Sequence, residues 1–194
     1  MNTKKPDLPE WGSFALVAYI PHPLGAFLDS LRTEMPGEEF PQAHITVLPP
    51  RPLKSRLESA LAYAKRILMD FQPITAGLSA VKVFPETNLL YLDIEPGSDE
   101  LHKLHDALNT GELAHEENFE FLPHLTISGP IPLEHLAKLR DEANRRWELY
   151  PESRTVEINE VVALWQPVNG SWDDWNRVWV QKLGDVGNSE QAGS

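Results

Sequence analysis

The sequence contains no cysteine among its 194 residues, and this absence removes several classes of protein at once. Without thiols there is no disulfide scaffold, no cysteine nucleophile and no thiolate-bound metal. Any chemistry must therefore rest on histidine, carboxylate and hydroxyl side chains.

The chain also lacks a membrane-length apolar run and an excess of positive charge. No run reaches the roughly 18 apolar residues of a membrane span, and residues 1–11 lack the apolar segment of a secretory signal. We therefore expect a cytoplasmic protein that does not bind membranes. The formal net charge is −12, with 17 Lys and Arg against 29 Asp and Glu. Because long nucleic acids bind to a basic face, we expect short or terminal substrates and no long nucleic acid.

Hydrophobic patterning predicts an α+β protein in which short strands are mixed with amphipathic helices. The short connections at residues 86–88 and 168–174 suit hairpins, which indicates antiparallel sheets. We expect an extension over residues 1–12, a single bilobal domain over 13–183 and a disordered tail over 184–194. The predicted strands are 13–21, 44–48, 73–85, 88–96, 124–128, 154–167 and 175–183, and the predicted helices are 24–35, 53–71, 98–111 and 132–150.

One stretch of sequence occurs twice in altered form. AHITVLPPRPL, at residues 43–53, returns about 80 residues later as PHLTISGPIPL, at residues 123–133. The two stretches share a histidine, a threonine two residues later, two prolines and a leucine. Each lies on a predicted strand followed by a helix, which indicates two related halves.

The repeated residues suit acid–base chemistry at phosphorus. Because residues i and i+2 of a strand share a face, His44 lies with Thr46 and His124 lies with Thr126, while the aliphatic neighbours face a core. An imidazole has an ordinary pKa of about 6.5, so near neutrality one ring can act as base and the other as acid. Threonine hydroxyls can donate to the phosphate oxygens.

A structural explanation competes with this one. Each histidine could be a half-buried strand residue that bonds to a backbone carbonyl, with each threonine present for its strand propensity. Packing alone, however, gives no reason to repeat the same polar pair in the same context. The repetition therefore favours a functional pair.

The two His-x-Thr motifs resemble those of the two-histidine (2H) phosphoesterase superfamily, which includes 2′-5′ RNA ligase-like proteins and cyclic phosphodiesterases. The resemblance covers residues 13–183 and implies two pseudo-symmetric lobes of antiparallel sheet plus helices around a central cleft. It implies that His44 and Thr46 line one wall and that His124 and Thr126 line the other. It further implies activity without metal or cofactor on 2′,3′-cyclic phosphates or 2′-5′ linkages of short RNA ends or small nucleotides. We expect a monomer.

Three further residues are candidates for substrate binding. Arg51, whose counterpart in the repeat is Ile131, could hold phosphate or could be a solvent-facing residue at the start of a helix. Trp172 could stack on a nucleobase or serve hairpin packing, and Phe84 is a similar, weaker candidate.

A metal site at His102 and His105 is disfavoured. The two residues are three apart on a predicted helix, a less apt spacing than four, and they lie beside leucines on what we interpret as a solvated flank. We therefore predict no metal ligands. A binding module that holds a nucleotide or phosphate in the same cleft without turning it over is the alternative to an enzyme.

Overall fold

The computed structural model describes residues 11–36, 42–171 and 174–184, and it confirms the α+β class. In the described residues, four helices are α1 (Leu24–Thr33), α2 (Leu57–Leu68), α3 (Ser98–Leu108) and α4 (Leu133–Glu148), with a short 3-10 helix at Gly111–Leu113. The strands are β1 (Ser13–Tyr19), β2 (His44–Pro52), β3 (Ile74–Val83), β4 (Leu90–Ile94), β5 (His124–Thr126), β6 (Thr155–Ile158), β7 (Glu160–Gln166) and β8 (Asn176–Lys182). None of the described helices is both long and apolar enough to cross a membrane.

The strands form two four-stranded antiparallel sheets with matching organisation. The first sheet has the order β2-β1-β7-β8 and the second has the order β5-β4-β3-β6. In each sheet the strand that carries a His-x-Thr motif is at the edge. The second sheet contains the consecutive strands β3 to β6, whereas the first sheet combines β1 and β2 with β7 and β8 from the end of the chain.

The core lies between the sheets and the helices. The even-numbered residues of β1 are buried against α1 and α2, because Phe14, Leu16 and Ala18 belong to one cluster with Leu28 and Ala64. The odd-numbered residues of β1 face the opposite side and form a smaller apolar cluster with β7. This alternation separates a core face from a face that is available to a site.

Two predicted boundaries were wrong for physical reasons. The predicted strand 154–167 breaks at Asn159 into β6 and β7, which belong to different sheets. The predicted strand 44–48 continues to Pro52, because β2 is an edge strand and tolerates residues without an N–H donor. The predicted extension and tail lie almost entirely outside the described residues.

Candidate active site

The two motif strands lie beside each other where the edges of the two sheets meet. Strands β2 and β5 are in contact, and His44 is close enough to His124 for the two rings to interact electrostatically. His44, Thr46, His124 and Thr126 are all half-buried, and the first two line a cavity. The alternate residues Ile45, Val47, Leu125 and Ile127 are fully buried in the core. The structure thus brings together the four residues that the repeat singled out.

The two histidines are held in the same way. The Nδ1 of His44 donates to the backbone carbonyl of Gln42, and the Nδ1 of His124 donates to that of Leu122, each at 2.7 Å. Because a carbonyl oxygen can only accept, Nδ1 must carry the proton in both rings. The lone pair of each neutral imidazole is therefore on Nε2, the nitrogen left for a substrate.

Burial lowers the pKa of both histidines. For His44, burial is the largest cause, and the charges of Arg32 and His124 lower the pKa further, while the bond to Gln42 and the charge of Asp29 oppose the shift. For His124, burial also dominates and the bond to Leu122 opposes it. The lowered pKa values favour the neutral form of both rings at pH 7.

Each histidine has an aromatic neighbour. The ring of Tyr19 meets His44 edge-on, with the ring centres 5.9 Å apart, and the ring of Tyr91 meets His124 in the same manner at 5.6 Å. Phe84 stacks on Tyr91 at 4.1 Å and contacts the His124 ring at 4.9 Å. The structure thus places Phe84 at the cleft, where it stacks on Tyr91. These contacts restrict the ring orientations.

Arg51 lies on the core side of β2, contrary to both of its predicted placements. Its register partner is Phe14, its side chain is buried, and the residue is only 2 % exposed. The guanidinium donates to the carbonyls of Pro49 and Leu113, to Asn109 and to the carboxylate of Glu117, the last at 2.5 Å. Four of its five N–H donors are thereby used within the protein. This geometry favours a structural role and leaves no open fork for phosphate.

The remaining candidates have different outcomes. Trp172 lies outside the described residues. His102 bonds through both ring nitrogens to the carbonyls of Ser98 and Phe121, and His105 bonds to Glu117 and stacks on Phe121. In the described part of the chain, no group of three or more His, Asp or Glu side chains is arranged to hold a metal ion.

Two residues that line a cavity beside His44 were not predicted from the sequence. Trp175 and Arg177 project from the start of β8 into a cavity of about 280 Å³ that also includes Tyr19 and Thr46. The two residues are two positions apart, so the rule of alternating faces already places them on one side of a strand. Only the pairing of β8 with β7 reveals that this side is the cleft.

Comparison with known proteins agrees with this architecture. A sequence profile described as the 2′-5′ RNA ligase superfamily matches residues 20–169. The chain belongs to this superfamily. The resemblance to the 2H phosphoesterases is thereby confirmed, and the match spans both motif strands.

Relatives of this superfamily are found among curated proteins and solved structures. A protein of Geobacillus kaustophilus named "Putative phosphoesterase" is 25% identical over 168 residues, which cover 82% of this chain and 91% of the Geobacillus protein. A protein of the same description from Bacillus cereus is 31% identical over 135 residues, 66% of this chain and 73% of its own.

Among structures, Escherichia coli LigT in complex with NADP+ has a TM-score of 0.61 at 15% identity, over 90% of this chain and 99% of LigT. Kluyveromyces marxianus Usb1 has a TM-score of 0.58 at 13% identity, over 89% of this chain and 98% of Usb1. At these identities the structures show the shared fold. Superfamily membership and the named relatives support a phosphoesterase-like function.

Proposed function

We propose that this protein is a phosphoesterase that hydrolyses 2′,3′-cyclic phosphates or 2′-5′ phosphodiester linkages of RNA ends or small nucleotides without a metal ion. The observation that carries the proposal is the matched pair of histidines, each with Nδ1 on a backbone carbonyl and with no hydrogen bond to Nε2 from the described residues. LigT has been crystallised with 3′-AMP, ATP and NADP+, which supports a nucleotide as the ligand class.

The reaction needs the two rings in different protonation states. The neutral histidine accepts a proton from water at Nε2 while the water oxygen forms a bond to phosphorus. The bond from phosphorus to the leaving ribose oxygen breaks, and the protonated histidine delivers its Nε2 proton to that oxygen. Thr46 and Thr126 donate to the non-bridging oxygens, where negative charge increases in the transition state.

The electrostatics of the site favour different protonation states for the two rings. Burial favours the neutral form of both imidazoles, so the phosphate anion is the group that stabilises an imidazolium when it binds. Mutual repulsion between His44 and His124 disfavours a doubly protonated cleft. The arrangement therefore favours one proton shared between two rings once the substrate is present.

The test is turnover of a substrate panel in excess EDTA. The panel contains adenosine 2′,3′-cyclic phosphate, a 2′-5′-linked dinucleotide and its 3′-5′ isomer. We expect multiple turnover of at least one of the first two, and a 10²- to 10⁴-fold lower kcat for His44→Ala and for His124→Ala. His135→Ala changes a histidine that is exposed on α4 and is the matched control.

The outcomes separate the alternatives. The double histidine variant should be about as slow as each single variant, because the two groups act in one step. Near-wild-type turnover by either single variant contradicts the mechanism. Ligand binding without any product supports the binding-module alternative, and activity that EDTA abolishes points to a metal instead.

A further inference from the structure

The cleft has an apolar floor on the side of His44. This floor is one face of the first sheet and is formed by Ala15, Val17, Val162 and Leu164. Tyr19 and Trp175 pack against it, and the cavity above it measures about 280 Å³. An apolar surface flanked by an indole fits a flat aromatic ring such as a nucleobase.

Arg177 crosses this floor. Its register partner on β7 is Leu164, yet its guanidinium carbon lies 3.9 Å from the centre of the Tyr19 ring. Its Nη2 donates to the side-chain amide oxygen of Gln42 at 2.7 Å. Among the described residues no carboxylate pairs with Arg177. A guanidinium held by a neutral amide and an aromatic face retains donors for an anion.

Gln42 contacts both the Arg177 guanidinium and the catalytic His44. Its backbone carbonyl accepts from His44 Nδ1 and its side chain accepts from Arg177. Arg177 and His44 line the same cavity, and Nε2 is the ring nitrogen that does not bond to Gln42. A ligand with two anionic groups can therefore place one at Nε2 and the other at Arg177.

In the part of the chain that the structure describes, the wall around His124 offers no equivalent unpaired charge. Lys82 projects from β3 on that side, but it forms an ion pair with Asp93. Phe84 and Tyr91 occupy the surface next to the His124 ring. The two walls thus share the His-x-Thr motif and differ in net charge, which gives a bound ligand a preferred direction.

We propose that the cavity formed by Tyr19, Gln42, Trp175 and Arg177 is a second subsite, which binds the nucleoside and an additional phosphate of the substrate. The substrate class is then a nucleotide or oligonucleotide end with an anionic group beyond the phosphate that the histidines attack. The nucleobase lies on the apolar floor against Trp175, and Arg177 binds the additional phosphate. This inference rests on the proposed function and narrows its substrate.

Binding of two ligands that differ by one phosphate tests the subsite. Dissociation constants for adenosine 3′,5′-bisphosphate and adenosine 3′-monophosphate are measured by calorimetry at fixed ionic strength for the wild type, Arg177→Gln, Trp175→Ala and Arg140→Gln. Arg140 is an exposed arginine on α4 and controls for general charge. We expect the wild type and Arg140→Gln to bind the bisphosphate roughly 10- to 100-fold more tightly than the monophosphate.

The variants assign the parts of the subsite. Arg177→Gln should reduce the ratio of the two constants to near one while leaving monophosphate binding almost unchanged. Trp175→Ala should weaken both ligands alike and keep the ratio. In the wild type the ratio should fall as salt rises, because the additional contact is electrostatic.

Failure of this inference can be distinguished from failure of the proposed function. A ratio near one in the wild type, or an unchanged ratio in Arg177→Gln, overturns the subsite even if cyclic phosphates are hydrolysed. Turnover without measurable binding of either nucleotide also overturns it. The expected ratios without turnover of any panel substrate support the subsite and overturn the proposed hydrolysis.

Discussion

Replacing Arg51 by methionine removes a buried charge while keeping an unbranched apolar side chain in its place. The change deletes the donors to Glu117, Asn109 and the carbonyl of Leu113, and it leaves a carboxylate that is 16% exposed without its cation. Breaking a buried pair from one side costs about 3–5 kcal/mol. For a chain of 194 residues that corresponds to a Tm lowered by about 6–20 °C.

Urea unfolding followed by circular dichroism measures this cost, and a double-mutant cycle isolates its origin. The cycle compares wild type, Arg51→Met, Glu117→Gln and the double variant. We expect the double variant to be less destabilised than the two single changes predict together, because each single change leaves the other member of the ion pair buried without its opposite charge. The exposed pair of Arg140 and Asp141 is the matched control, where Arg140→Gln should cost less than about 1 kcal/mol.

The same variants decide whether Arg51 contacts phosphate. With the structural role, folded Arg51→Met protein binds adenosine 3′-monophosphate about as tightly as the wild type. The structural role is refuted if the free energy of unfolding of Arg51→Met lies within about 1 kcal/mol of the wild-type value while the variant binds the nucleotide more than tenfold more weakly. The phosphate role would then be restored.

Three further results are expected from the site. The pH profile of kcat/KM should be bell-shaped with its maximum below about pH 6.5, because burial lowers the pKa of both His44 and His124. A maximum above pH 7 would contradict the lowered pKa values. Thr46→Val and Thr126→Val should each lower kcat by about 10²-fold with little change in Tm, whereas serine at either position should retain activity. Valine variants with the kcat of the wild type would exclude the two hydroxyls from transition-state binding. The free energy of unfolding should fall as the pH drops through about 6.5 toward the lowered native pKa of His44, since the unfolded chain binds protons before the folded chain does. This fall should be smaller in His44→Gln. An identical pH dependence in the wild type and the variant would argue against a lowered pKa at His44.

Local pattern was sufficient to predict the two motifs and the faces of their strands. The alternation of His44, Ile45, Thr46 and Val47 places two polar groups on one face and two aliphatic groups on the other, whatever the rest of the fold. The same rule did not extend to Arg51, because two register shifts lie between Thr46 and Arg51 and the adjacent residues Val47 and Leu48 are both buried. The burial of Arg51 was also missed because a charged residue near a proline pair is ordinarily exposed.

Other features of the site depend on strands that are distant in sequence. The neighbours of His124 include Phe84 and Tyr91, whose places follow from the pairing of β3 with β4 and of β4 with β5. The break at Asn159 sends β6 and β7 into different sheets, although residues 154–167 read as one strand. Periodicity reports which way a side chain points, but it carries no information about its partner strand.

The sequence by itself determined the family, the α+β class and the four residues that face the phosphate in the proposed mechanism. These three conclusions depend on short-range periodicity and on a repeat that can be recognised in the sequence without knowledge of the fold. Only the tertiary structure decided that Arg51 is buried with Glu117 and that Trp175 and Arg177 line a cavity beside His44. The physical reason is that those placements arise from packing between separate elements, which sequence patterns of single strands and helices do not encode.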